Sequence, residues 1–127
     1  MGRTIRISAG GISVVADLND THTAQRIWES LPFQARGNRW GDEIYFGIPV
    51  KMDVEKGQEV VQAGDLGYWP PGHAFCIFFG PTPASHGEEP RAASPVTVFG
   101  RVLGDASVFT QVPDGTEVAV EQVDSGV

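Results

Sequence analysis

A single cysteine, Cys76, among 127 residues has no partner for an internal disulfide, so the cross-linked framework of small secreted domains is excluded. Basic residues are scarce as well. Nine Lys and Arg stand against sixteen Asp and Glu, a formal net charge of −7, which repels phosphate backbones and leaves no basic cluster to grip them. Nucleic acid is therefore not an expected partner. No apolar run approaches the roughly 20 residues that cross a bilayer, and the opening MGRTIRISAGG lacks the apolar stretch of a secretion signal. The expectation is a cytoplasmic chain without a membrane partner. The three histidines never fall at the short spacings of a preformed zinc site, and no glycine-rich phosphate loop occurs, so neither metal nor cofactor is expected.

What is present suits one domain spanning residues 1–127, with 124–127 a frayed tail. Ile5 and Ile7 alternate with Arg6 and Ser8, the period of a strand with one wet face, and ISVVAD (12–17) reads as its hairpin partner across Gly10 and Gly11. Asp20, Thr21 and Thr23 offer oxygens to cap a helix whose apolar stripe is Ala24, Ile27, Trp28 and Leu31, and Pro32 stops it. Further short strands are expected at 33–40, 43–48, 66–70, 74–79, 96–103 and 116–123, with a single helical turn in 105–112. Eight short strands and one main helix point to a mainly β chain closed into a barrel, since closure removes exposed edges. The proline-rich stretch 81–94 reads as an irregular excursion, either functional or mobile.

Three groups of residues could carry chemistry. Gly64 followed by Pro70, Pro71 and Gly72 matches half of a cupin signature, but Phe75 stands where its metal-binding histidine belongs, and no H-x-H lies upstream. Cys76 sits in the apolar run AFCIFF, where desolvation keeps a thiol neutral and inert. In NRWGDEIYF (38–46), Trp40, Glu43 and Tyr45 can share a face, giving aromatic walls with one carboxylate. A Trp40 that plugs a barrel end explains the same residues. Asp42 and Asp65, each after a glycine, suit turns in which carboxylates accept backbone N–H bonds.

The strings GNRWGDEIYF (37–46), GDLGYWPPGHAFCIFFGPTP (64–83) and SPVTVFGRVLGD (94–105) resemble those of small prokaryotic cyclophilin-like proteins of unassigned function. The resemblance runs from the strand at Ile5 to that at Val120 and implies a cyclophilin-like β-barrel. It also implies that the isomerase groups of true cyclophilins are largely missing. Ala74 falls where a glutamine should bind substrate backbone, and Cys76 where a phenylalanine should line the proline pocket. Val96 replaces a pocket histidine, Arg91 falls near the position of a pocket tryptophan, and Arg39 is the nearest candidate for the catalytic arginine.

The expected function is a binding module for a small molecule or an extended, proline-containing peptide, lined by Arg39, Trp40, Glu43, Tyr45, Trp69, Pro71 and Cys76. The alternative is a weak, divergent peptidyl-prolyl isomerase using Arg39. A third reading is an interaction subunit that docks another chain through an exposed FCIFF neighbourhood or the 81–94 segment.

Overall fold

In the computed structural model, which describes residues 3–123, Ile5 and Ile7 are fully buried while Arg6 between them is exposed. The two-residue period thus lays one face of β1 (Arg3–Ala9) on the core. It pairs antiparallel with β2 (Ile12–Leu18) across a turn in which Gly10 takes φ +60°, and Ala9 lies opposite Ile12. The expected frayed tail at 124–127 lies outside the described residues.

The helix α1 (His22–Ser30) starts where the capping residues predicted it. Thr21 is the cap, its Oγ1 accepting from the Ala24 amide at 3.0 Å. A second anchor comes from far along the chain: the Glu55 carboxylate accepts the amides of His22 and Thr23 at 3.1 and 3.0 Å and the Thr23 hydroxyl at 3.0 Å. A negative charge over the first turn also suits the helix dipole. Ala24 and Ile27 are buried on the barrel flank, Trp28 packs half-buried beside them, and the chain leaves the helix through a cis Leu31–Pro32 bond.

The remaining strands are β3 (Phe33–Arg36), β4 (Asn38–Arg39), β5 (Glu43–Gly47), β6 (Gln58–Val60), β7 (Asp65–Trp69), β8 (Ala74–Phe78), β9 (Arg91–Val102) and β10 (Glu117–Gln122). Short 3-10 turns cover Pro70–Gly72 and Ala106–Gln111. Every pairing is antiparallel, in the order β3-β10-β1-β2-β9-β7-β8-β5-β4, with β6 alongside β9. The protein is mainly β, with ten described strands rather than eight. The expected closed barrel is also corrected, because hydrogen bonds do not join the two ends of the sheet. Those ends, β3 and β4, are successive pieces of one segment separated only by Gly37, so the chain itself passes from one edge to the other.

Gly37 is required there by space. A Cβ at this position would stand 3.0 Å from Ile44 Cγ2 on β5, 3.1 Å from Val118 Cγ2 on β10 and 3.3 Å from the Thr116 carbonyl. Overpacking of this kind costs about 1–3 kcal/mol. Gly37→Ala is expected to lower the unfolding free energy by about 1–2 kcal/mol in urea denaturation, despite the smaller entropy of the unfolded variant. An unchanged midpoint would show that the seam relaxes without cost.

Two apolar clusters lie on opposite faces of the sheet. The main core, on the inner face of the sheet, holds Ile5, Ile7, Ile44, Phe46, Leu66, Tyr68, Phe75, Ile77 and Phe99 among others, with the Phe46 and Phe75 rings stacked at 5.0 Å and Phe99 edge-on to Phe75 at 5.0 Å. The outer face of β5, β7 and β8 carries a second cluster of Val61, Ala74, Cys76, Phe78, Ala92 and Val96. The run 74–79 is therefore apolar throughout because both of its faces are covered. This overturns an exposed FCIFF docking surface: Phe75, Ile77 and Phe78 are fully buried, and Phe79 is nearly so.

The segment 81–94 is shorter as a loop than its composition suggests, since Arg91 already begins β9. What remains is tied internally. Thr82 Oγ1 donates to the Arg91 carbonyl, Ser85 Oγ donates to the Glu89 carbonyl, and the Glu89 carboxylate accepts the amides of His86 and Gly87 at 2.8 and 2.9 Å. Arg91 bridges Glu89 at 3.2 Å and Glu59 at 3.6 Å. Asp65 accepts a backbone N–H as expected, from Gln62 at 2.9 Å, whereas Asp42 spends its carboxylate on Arg39.

Candidate functional site

Residues directly opposite one another in a sheet share a face, so the register decides which side chains meet. Glu43 lies opposite Phe78, Tyr45 opposite Cys76, Gly67 opposite Cys76 on the other side, and Trp69 opposite Ala74. All of these point to the outer face, while Ile44, Phe46 and Tyr68 point inward. β9, the antiparallel neighbour of β7, brings Ala92, Ala93 and Val96 to the same place. A pocket of about 220 Å³ is lined by Trp40, Glu43, Tyr45 and Trp69 together with those three β9 residues. Trp40 belongs to this wall and is absent from the main core cluster, so it is not the expected plug.

The walls are held rigidly. The Trp69 indole Nε1 donates to Ser94 Oγ at 2.7 Å, which ties β7 to β9 across the pocket. Its ring also lies flat against Gly72, where a Cβ would come within 2.9 Å of Cε3 and Cζ3. The turn Pro70–Gly72 is closed by the His73 amide donating to the Pro70 carbonyl at 3.1 Å, with His73 in the left-handed region at φ 47°. The turn thus packs directly against Trp69. Trp40 is fixed by its amide, which donates to the Glu43 carbonyl at 2.9 Å.

Glu43 is the one charged residue lining the pocket and is only 5% exposed. Its Oε1 has no hydrogen-bond partner, the only such buried side-chain oxygen or nitrogen among the described residues. Burial lifts its pKa to about 7, with the Cys76 S–H drawing it slightly back. Cys76 in turn is pushed well above the ordinary thiol range, first by burial and then by the neighbouring Glu43 carboxylate. Its Sγ is also 3.9 Å from the Ala74 carbonyl, at the outer limit even for sulfur. Such a thiol is a packed partner of Glu43 and no nucleophile.

Of the seven residues expected to line a site, the fold brings Trp40, Glu43, Tyr45 and Trp69 to one pocket. Cys76 lies behind it, in the second cluster. Pro71 is exposed on the turn and does not reach it. Arg39 faces elsewhere. Its Nε donates to the Gly41 carbonyl at 2.6 Å, Nη1 to the carbonyls of Thr110 and Val112 at 3.1 and 2.9 Å, and Nη2 to Asp42 Oδ1 at 3.1 Å. The guanidinium also lies 5.0 Å over the Phe79 ring. All three of its nitrogens hydrogen-bond within the protein. Sequence reasoning missed the β9 wall of Ala92, Ala93 and Val96, although the resemblance to cyclophilins had drawn attention to Val96.

Ala74, Cys76 and Val96 belong to one outer-face cluster, and Val96 also lines the pocket. Among the described residues no group of three or more His, Cys, Asp or Glu could hold a metal ion, and no helix is long and apolar enough to cross a membrane.

The sequence model of a family described as cyclophilin-like matches residues 3–121. The solution structure of the hypothetical protein AF2241 from Archaeoglobus fulgidus is similar, with 37% identity, a TM-score of 0.81, and coverage of 96% of this chain and 95% of that one. No curated protein matches the sequence.

Proposed function

Since the chain belongs to the cyclophilin-like family, we propose that it is a binding module whose outer-face pocket takes a small organic molecule or one side chain of an extended peptide. The observation that supports this reading is the buried Glu43 carboxyl, with an unpartnered oxygen, in a pocket that three aromatic residues help to line. A polar atom left unsatisfied in a fold costs about 1–3 kcal/mol, a cost that a ligand's donor removes. The rigid Trp69 wall adds affinity because little freedom is lost when a ligand docks against it.

Prolyl isomerisation fits the pocket poorly. The barrier of about 18–20 kcal/mol falls when a donor bonds the amide nitrogen of the twisted peptide. Arg39 is held by three carbonyls and Asp42, and the pocket offers no other guanidinium. In a protease-coupled assay on an X-Pro peptide, the rate with the protein present is expected to equal the solvent rate. Acceleration that saturates with peptide would restore the isomerase reading.

Binding itself is tested by NMR with a library of small neutral and charged ring compounds. Hits are expected to shift the indole signals of Trp40 and Trp69 together, and to leave that of Trp28 on α1 unmoved. Hits scattered over the surface with no preference for those two indoles would remove the proposal.

A further inference from the structure

The Glu43 pocket has a polarity that narrows its ligand, an inference that rests on the binding reading above and deepens it. One carboxyl group stands at the pocket, and its unpartnered oxygen is an acceptor waiting for a donor. Trp40, Tyr45 and Trp69 line the same pocket, and the face of an aromatic ring carries the negative side of a quadrupole that attracts cations. Nothing positive compensates them. Arg39 is committed to backbone carbonyls, and Arg91, which precedes Ala92, is bound between Glu89 and Glu59. The chain as a whole carries a formal charge of −7, which adds a field of the same sign.

We infer that the pocket accepts a ligand with a cationic nitrogen group, an ammonium or amidinium on a small flat body, whose N–H donors meet Glu43 while the body lies among Trp40, Tyr45 and Trp69. The cation supplies the counter-charge that the fold withholds from Glu43, and burial of both strengthens the pairing.

A pH dependence follows from the groups around Glu43. The titratable neighbours are Cys76 from β8, whose thiol stays protonated, and Tyr45 from β5. From β9 the facing side chains are Ala92, Ala93 and Val96, and from β7 Trp69, none of which titrates. Asp42, next in sequence, is paired with Arg39. Glu43, with its pKa raised to about 7, gains its charge as the pH rises through that value, so a cation gains affinity over the same range. A ligand that needs the protonated carboxyl as a donor would lose affinity instead.

Three probes of nearly one shape test this: benzamidine, benzamide and benzoate, titrated into the full chain by tryptophan fluorescence and by NMR of the Trp40 and Trp69 indoles. Benzamidine is expected to bind at least about ten-fold tighter than benzamide at pH 8, with benzoate the weakest. The preference is expected to shrink several-fold at pH 6 and to vanish in Glu43→Gln. Benzamide or benzoate binding as tightly as benzamidine, or affinity for benzamidine that falls between pH 6 and 8, overturns the cation assignment and leaves the binding reading standing. If none of the three moves either indole signal, and no ring compound of the wider library does, both readings fall together.

Discussion

Replacing Glu43 with glutamine is expected to stabilise the unliganded protein at pH 8 by about 2–3 kcal/mol and to flatten its stability between pH 5 and 8. Inside the fold the carboxyl holds its proton up to about pH 7, whereas in the unfolded chain it behaves as an ordinary carboxyl with a pKa of 4.5. Below pH 4.5 both states are protonated and the group favours neither. Between 4.5 and 7 the folded state binds more protons than the unfolded one, so stability falls as the pH rises, and above 7 the loss is complete. Glutamine keeps the shape of the side chain and cannot ionise, so the variant lacks this decline. Urea denaturation at half-unit steps of pH measures both proteins. A decline of equal size in the variant would mean that another group is responsible.

The opposite limb lies at lower pH and does not overlap. Glu89 is held at a pKa of about 2, chiefly by the backbone amide of His86, with Arg91 and Gly87 adding to the effect. Its contribution is present above the ordinary carboxyl range and is lost as the pH falls toward 2. Maximum stability of the unliganded protein is therefore expected near pH 5. A more stable variant that no longer prefers a cation is what a binding site looks like when its charge is held at the expense of the fold.

The second large effect is the loss of Arg39. Arg39→Ala is expected to cost about 3 kcal/mol in the same denaturation experiment. The carbonyls of Gly41, Thr110 and Val112 lose their donor, and Asp42 loses its ionic partner. These four groups come from the β4–β5 turn and from the 3-10 turn Ala106–Gln111 with its exit, so the guanidinium is a clamp between two connections. Arg39→Lys is expected to recover only a small part, because a single ammonium cannot reproduce a planar fork of donors. If Lys restores full stability, the arrangement of donors is immaterial and only the charge counts.

Arg39 also shows where sequence reasoning stops. An arginine beside a tryptophan and two carboxylates can point to either side of a strand, and the residues that capture it, Thr110 and Val112, lie more than seventy positions away. The fold's regular parts were legible wherever one face was wet: β1, β2 and the stripe of α1 have an apolar period because the other side of each meets solvent. The strand β6 was not, since Gln58, Glu59 and Val60 are all exposed and carry no pattern. The early start of β9 was hidden by Pro95, which reads as a break. It lies within the stretch paired with β6, between the Arg91 and Val96 pairs where the register shifts, just before β7 takes over at Thr97. Half of the pocket was readable from Trp40, Glu43, Tyr45 and Trp69 because these fall on β5, β7 and the turn beside β5. The other half comes from small residues of β9, which have no chemical signature of their own.

The neighbour of the first strand is encoded at the far end of the described chain: Ile5 lies opposite Gln122, and Phe33 opposite Val120. During synthesis, then, β1 and β3 each wait beside an empty slot until residues 117–122 have left the ribosome. A nascent chain halted before that point exposes Ile7 and Phe33 along two uncovered strand rims, the kind of surface that chaperones shield and that draws other chains into aggregates. The long reach of these pairings also makes folding slow relative to helical chains of similar length, by delaying the step that brings the two rims to their shared partner.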